Sequence, residues 1–384
     1  MEFAIWAYPW DLLDEGVELV AERLAELGIG EVNLATNYHT VQTFHPHNPE
    51  RSTFFAYPSA YFHPDDEYGR LRPVTNETMG DADWLDQIVE DIEDTHLDLN
   101  SWTIGCHNSR LGMANRDLTI ENPYGDSLVF GLCPSKPEVQ EYLTSLLADL
   151  DQRAPFRRIE LETFDYFYGT GFGWHHDKFH VELGDLGEFL FGLCFCEDCR
   201  AAAADSGIDV DRARADCVET LDDIASGGLP SDVDVAGWIV DHPEVLAFAK
   251  SKAETLTALF EDLRTAVNDA QMGYYIANLG TEDSWKHGAD LRKLSPHVDY
   301  YTALAYGSDR QEATADVRTA QSMTDTPIHA GILPGYPIVE DGATLSDIVD
   351  GFVETGAERI SFYNYGLLPD RNLDWIGDAT GPYR

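Results

Sequence analysis

Eight short, nearly continuous apolar segments run through the chain, at residues 3–8, 31–36, 97–103, 158–163, 272–277, 298–303, 328–331 and 359–363. Between them apolar residues recur at helical spacing over 16–27, 83–94, 137–150, 243–268, 312–323 and 345–355. Uninterrupted apolar strands mark a sheet buried on both faces, and the helical stretches supply the crossovers that parallel strands require. Eight such units predict a (β/α)8 TIM barrel, an α/β fold built as one domain over residues 1–384. No Gly-x-Gly-x-x-Gly follows the first strand, which argues against a doubly wound dinucleotide-binding sheet.

Two stretches interrupt the repeat. Residues 38–80, after the second strand, are rich in aromatics and histidine, and residues 164–242, after the fourth, hold clustered cysteines. Both are expected as insertions at strand C-terminal ends, the face where barrels of this kind carry their chemistry.

Charge narrows the setting. There are 69 Asp and Glu against 25 Lys and Arg, a net charge of −44, and only six of the cations are lysines. The acids are scattered along helical patterns, not gathered in a tail, so they read as a solvated surface. At molar salt the Debye length falls to about 3 Å and such a surface stops repelling itself. This predicts a halophilic protein of a haloarchaeon-like, high-salt cytosol. The opening residues Met1-Glu-Phe-Ala-Ile-Trp show no basic signal-like stretch, in keeping with a cytoplasmic location. Nothing in the composition would neutralise phosphates, and no apolar run reaches the roughly 18 residues of a membrane span, so nucleic acid and membrane are not expected partners. Self-association into a homo-oligomer stays open.

Cys194-Phe-Cys-Glu-Asp-Cys199 brings three thiols into one short loop, the spacing that wraps a tetrahedral soft metal. The fourth ligand is expected to be Cys133, which opens a helix, with Cys106 or His107 as alternatives; Cys217 lies in a helical pattern and reads as a core thiol. Four thiolates would close the site, making the ion structural zinc, because catalytic zinc keeps an open position. The Cys133-Pro-Ser-x-Pro-Glu motif, a strand-four acid and Cys-x-Cys-x-x-Cys together resemble the zinc-bearing β-galactosidases of glycoside hydrolase family 42, and the glycosidase-like barrels related to them, over roughly residues 125–205. The resemblance implies a barrel, zinc and a carbohydrate substrate, and places Glu162 on the catalytic-acid position. Leu161 stands where those enzymes carry Asn, and Pro327-Ile-His-Ala-Gly-Ile offers no strand-seven Glu for their nucleophile.

Alternation along the fourth strand puts Glu160 and Glu162 on one face, about 6.5 Å apart, and Ile159 and Leu161 on the other. Inward carboxylates must be hydrogen-bonded, paired with an arginine such as Arg110, or kept protonated, and a raised pKa is what a general acid needs. Glycosidic hydrolysis requires two carboxylates. Glu162 is the expected acid, with Glu160, Asp165 and Glu282 as candidate partners. Other strand ends offer stacking surfaces and hydrogen-bonding groups suited to sugars: Trp6, Tyr8, Asn37, His39, Trp102, His107, Asn278, Tyr306, His329, Tyr363 and Asn364. The loop Gly173-Trp-His-His-Asp-Lys-Phe179 adds His176 and Lys178. The function read from these residues is glycoside hydrolysis of a small or oligomeric sugar. The competing readings are a non-hydrolytic carbohydrate-binding barrel and a sugar isomerase or lyase using His107, His329 and a catalytic divalent ion.

Overall fold

In the computed structural model eight parallel strands close into a barrel: β1 Glu2–Ala7, β2 Glu31–Ala35, β3 Asp98–Ile104, β4 Arg158–Glu162, β5 Gln271–Ile276, β6 Tyr300–Leu304, β7 Ile328–Ile332 and β8 Arg359–Phe362. Each pairs with its neighbours in chain order, and β8 returns to β1. The structure describes residues 1–166, 178–276 and 281–384, with side chains from 283 onward in the last stretch. Around the barrel stand α1 Val17–Glu26, α2 Trp84–Ile92, α3 Pro137–Arg153, α4 Pro243–Ala266, the short α5 Leu291–Leu294, α6 Arg310–Met323, α7 Gly342–Thr355 and α8 Asp370–Thr380. Among the described residues no helix is long and apolar enough to cross a membrane.

The acidic composition has a structural use at helix starts. Asp83, Asp309 and Asp341 cap α2, α6 and α7, their carboxylates accepting from the backbone N–H of Asp86, Glu312 and Thr344. An anionic cap satisfies an orphan donor and complements the helix dipole. Residues 38–80 form two small antiparallel pairs, Asn37–Tyr38 with Ser59–Ala60 and Val41–Phe44 with Thr53–Ala56. After β4 come four helices, Gly184–Gly192, Glu197–Asp205, Val210–Ser226 and Val235–Asp241. A hairpin, Thr119–Glu121 against Ser127–Leu132, fills the β3–α3 connection and was not expected from the strand pattern.

Ile159 and Leu161 face the helices, fully buried, as alternation requires. The inward face is not apolar. Arg359, fully buried, donates to Glu160 at 2.6 Å and to Asn33 at 2.5 Å, and its Nε lies 2.9 Å from Glu31. Arg158 donates to Glu31 at 2.5 Å and reaches Glu2 at 2.7 Å. Tyr275 and Tyr300 complete the shell of Glu160 at 2.5 and 2.9 Å. Inside the barrel two carboxylates thus meet two guanidiniums. Burial works against the charge of Glu31, but Arg359, Arg158 and Asn100 outweigh it and hold its pKa below the usual value. The arginine that neutralises Glu160 is Arg359; Arg110 instead pairs with Glu77.

Breaking a buried network of this kind strands a charge. Arg359→Met should therefore lower the unfolding free energy by about 3–5 kcal/mol. Chemical denaturation checks this, with Arg72→Gln, whose partner Asp66 is fully exposed, expected to change little.

Candidate active site

The C-terminal ends of the strands enclose a cavity of about 240 Å³ lined by Trp6, Tyr38, Trp102, Glu162, Tyr275, Leu304, Tyr306 and Tyr363. Glu162 ends β4 and points inward, and its Oε2 accepts from Trp102 Nε1 at 2.6 Å. Among the described residues it is the only carboxylate in the lining. The rings brace one another edge to face: Trp6 and Trp102 lie 6.5 Å apart, Trp102 and Tyr363 5.9 Å, Tyr38 and Trp102 4.8 Å. Burial, then neighbouring phenols and then the charge of Glu162 push the ionisation of Tyr38 and Tyr306 well upward, so both hydroxyls stay neutral. The cavity offers one acid among neutral hydroxyls and aromatic faces, a lining that fits C–H-rich faces and ring hydroxyls of a sugar.

Glycine makes this arrangement possible on β7. The inward position there is Gly331, where an added Cβ would meet the Trp6 indole at 2.8 Å. Trp6 therefore fills the space a side chain from the end of β7 would need. Its Nε1 donates to Tyr275 Oη at 2.6 Å, and that hydroxyl donates to Glu160, tying the cavity floor to the charged network beneath. Immediately after Glu162, Thr163 adopts φ 55°, a left-handed conformation that a β-branched residue rarely accepts. That turn sends Phe164 outward against Gly105.

The structure brings Trp6, Trp102, Glu162, Tyr306 and Tyr363 together and, among the described residues, sets the other expected site residues apart from them. Tyr8 stands behind, its hydroxyl 3.2 Å from that of Tyr363. Asn37 clamps the end of β3, exchanging hydrogen bonds with the backbone of Ile104 at 2.7 and 2.9 Å. His39 and His107 stack at 4.4 Å one layer out, His39 lying against Tyr38. Asn364 is buried and turns back to accept from Gly366 N–H. Lys178 is exposed. His176 and Asn278 lie outside the described residues, as does the side chain of Glu282.

Three placements correct the sequence reading. Glu160 sits in the barrel core, fully buried and paired with Arg359, so it does not face the cavity. Asp165 turns outward, accepting from Tyr274 and lying 3.4 Å from His287 on the helix side of β5. His329 begins β7 and lies by Arg158 and Tyr300 at the opposite, N-terminal end of the barrel. His107 and His329 therefore cannot share an ion, which removes the geometry the isomerase reading required. Tyr38, Tyr275 and Leu304 line the cavity without having been singled out. Alternation along β5, with Met272 and Tyr274 facing helices, carried the signal for Tyr275.

Cys133, Cys194, Cys196 and Cys199 converge, all four buried, with their sulfurs within 4.8 Å of one another. Cys133 Sγ lies 3.6, 3.7 and 3.6 Å from those of Cys194, Cys196 and Cys199. Four sulfurs around one ion at about 2.3 Å would be separated by about 3.8 Å. The quartet fits a tetrahedral soft metal, and Cys106 and His107 stand outside it. Ser135 bridges it to the chain after Glu162, its hydroxyl 3.2 Å from Cys199 Sγ and 2.5 Å from Tyr166 Oη. The buried ammonium of Lys252 lies beside it, donating to the Cys194 carbonyl at 2.9 Å.

Burial lowers the pKa of His39 to about 4, and burial followed by His39 depresses that of His107. Unfolded histidine takes up a proton near pH 6.5, whereas folded His39 refuses it until about pH 4. Stability should thus fall as pH drops through that window, by up to about 1.4 kcal/mol per pH unit for this one group. Unfolding free energies of His39→Asn between pH 7 and 4 should show a slope shallower by about one proton.

No family model and no curated protein matches the sequence. The fold does match solved structures of glycoside hydrolases. A β-galactosidase from Bacillus circulans sp. alkalophilus superposes with a TM-score of 0.59 at 12% identity, over 99% of this chain and 55% of that one. The PgaB (BpsB) glycoside hydrolase domain from Bordetella bronchiseptica gives 0.57 at 15% identity, over 99% and 97%. Alpha-L-fucosidase isoenzyme 2 from Paenibacillus thiaminolyticus gives 0.57 at 11% identity, over 96% and 46%. The chain spans about half the length of the fucosidase and the β-galactosidase. What these structures share with it is the barrel.

Proposed function

We propose that the protein is a glycoside hydrolase in which Glu162 is the general acid and the aromatic cavity holds a sugar. The observation that carries this reading is a carboxylate, single in the lining among the described residues and bonded to an indole, facing an aromatic cavity at the C-terminal mouth of the barrel. Trp6, Trp102 and Tyr306 would stack on the sugar, and Tyr38 and Tyr363 would hydrogen-bond its hydroxyls. Glu162 would protonate the leaving oxygen. Glu282, beyond the end of β5, remains the candidate for the second carboxylate. The thiolate quartet is assigned to structural zinc. Through Ser135 and Tyr166 the ion would steady the segment that follows Glu162, with no part in bond cleavage. The acidic surface suits a cytoplasm at high salt.

Glu162→Gln should lower turnover of aryl glycosides at molar salt by about 10²–10⁴-fold with the fold intact. Undiminished turnover in that variant would remove Glu162 from the chemistry. A non-hydrolytic sugar-binding barrel is favoured by one observation, the Trp6 ring that takes the place of a β7 side chain. Tight sugar binding with no cleavage by the unmodified protein would establish it.

Elemental analysis should find one zinc per chain. Cys133→Ser should reduce that content and lower the melting temperature, because the binding energy of such a site is folding energy.

A further inference from the structure

Among the described residues the ring of helices is thinnest after β5. Between α4 and α6 the described helical segments are short, the four-residue α5 flanked by 3-10 turns at Thr281–His287 and Ser295–His297, and a cavity of about 340 Å³ lies among them, a size typical of small-molecule sites. Ala249, Lys250 and Ala253 of α4 form one wall, Ser284 and Trp285 after β5 another, and Arg292 of α5 with Met323 of α6 the rest. It shares no lining residue with the cavity that holds Glu162.

The charge here is unusual for this chain. Acidic residues outnumber basic ones 69 to 25, yet Lys250 and Arg292 make no ion pair among the described residues. Lys293 beside them is paired with Glu254, and Asp290 is occupied as the cap of α5, accepting from Arg292 N–H at 3.1 Å. Two unpaired cations facing one cavity leave it open to an anion. The second signal is Ser284: it is 1% exposed, and its hydroxyl has no hydrogen-bond partner among the described residues. A buried hydroxyl left unsatisfied is costly, and a ligand atom in the cavity would satisfy it. Trp285, half-buried against Phe189 at 5.0 Å, offers an indole for a ring to rest on.

We infer that this cavity is a second ligand site, separate from the barrel mouth, for a small molecule that carries a carboxylate or phosphate ester on a compact ring. The oxyanion lies between Lys250 and Arg292, the ring against Trp285, and the Ser284 hydroxyl bonds a polar atom of the ring. The assignment is independent of sugar hydrolysis at Glu162.

Calorimetric titration of the full chain, in the salt that keeps it folded, tests it with D-glucuronate, glucose 6-phosphate, neutral glucose and inorganic phosphate. One of the two ring-bearing anions should bind at one per chain, at least about tenfold more tightly than glucose or inorganic phosphate. Preference for glucuronate would identify a carboxylate ligand, and preference for glucose 6-phosphate a phosphate ester. Arg292→Gln and Lys250→Gln, both at exposed and unpaired positions, should each weaken binding about tenfold. Ser284→Ala should weaken it several-fold, and Glu162→Gln should leave it unchanged. The assignment is overturned if neither ring-bearing anion binds, if inorganic phosphate binds as well as they do, if both cation variants bind normally, or if Glu162→Gln abolishes binding.

Discussion

Arg359 lies fully buried between Glu31 and Glu160, and with Arg158 it closes a network of two carboxylates and two guanidiniums inside the strands. Charges in such a place are tolerated only when each is matched and hydrogen-bonded, because desolvating an ion costs several kcal/mol. The match here draws on seven of the eight strands, since Glu2 comes from β1, Glu31 and Asn33 from β2, Asn100 from β3, Arg158 and Glu160 from β4, Tyr275 from β5, Tyr300 from β6 and Arg359 from β8. A slip of one residue in any of these strands would turn its polar residues toward the helices and leave their partners bare. The network therefore fixes register as well as neutralising charge.

It also decides which acid faces the cavity. Two inward glutamates stand on β4, two residues apart, and the lower one is consumed by Arg359 and two tyrosines. The upper one, Glu162, is left facing the cavity with an indole as partner. Tyr275 links the two levels, donating downward to Glu160 and accepting from Trp6 above. The floor of the cavity is thus held by the same atoms that neutralise the core. From outside, Ser135, in contact with Cys199 of the cysteine quartet, holds Tyr166, four residues beyond Glu162.

The barrel was legible because parallel strands covered by helices leave a nearly continuous apolar signature, and all eight strands lie where that signature put them. The cysteine cluster was legible because three of its four sulfurs are packed into six residues. Fine placement was not. Alternation told that Glu160 and Glu162 share a face, but not that Arg359, 199 residues later, would neutralise only one of them. His329 was drawn to the site as a strand-seven residue, although it sits at the start of its strand and so faces the opposite end of the barrel. Asp165 was expected beside Glu162 by proximity in sequence, and the left-handed turn at Thr163 directs the chain away. Each miss is a long-range pairing or a backbone turn that local pattern does not encode.

A crystal structure of Glu162→Gln soaked with a cleavable oligosaccharide tests the central claim most directly. The expected result is a sugar ring against Trp6 and Trp102, with the glycosidic oxygen within hydrogen-bonding distance of residue 162, about 3 Å. A sugar bound elsewhere on the barrel, or seated in the cavity with its glycosidic oxygen turned away from residue 162, would contradict it.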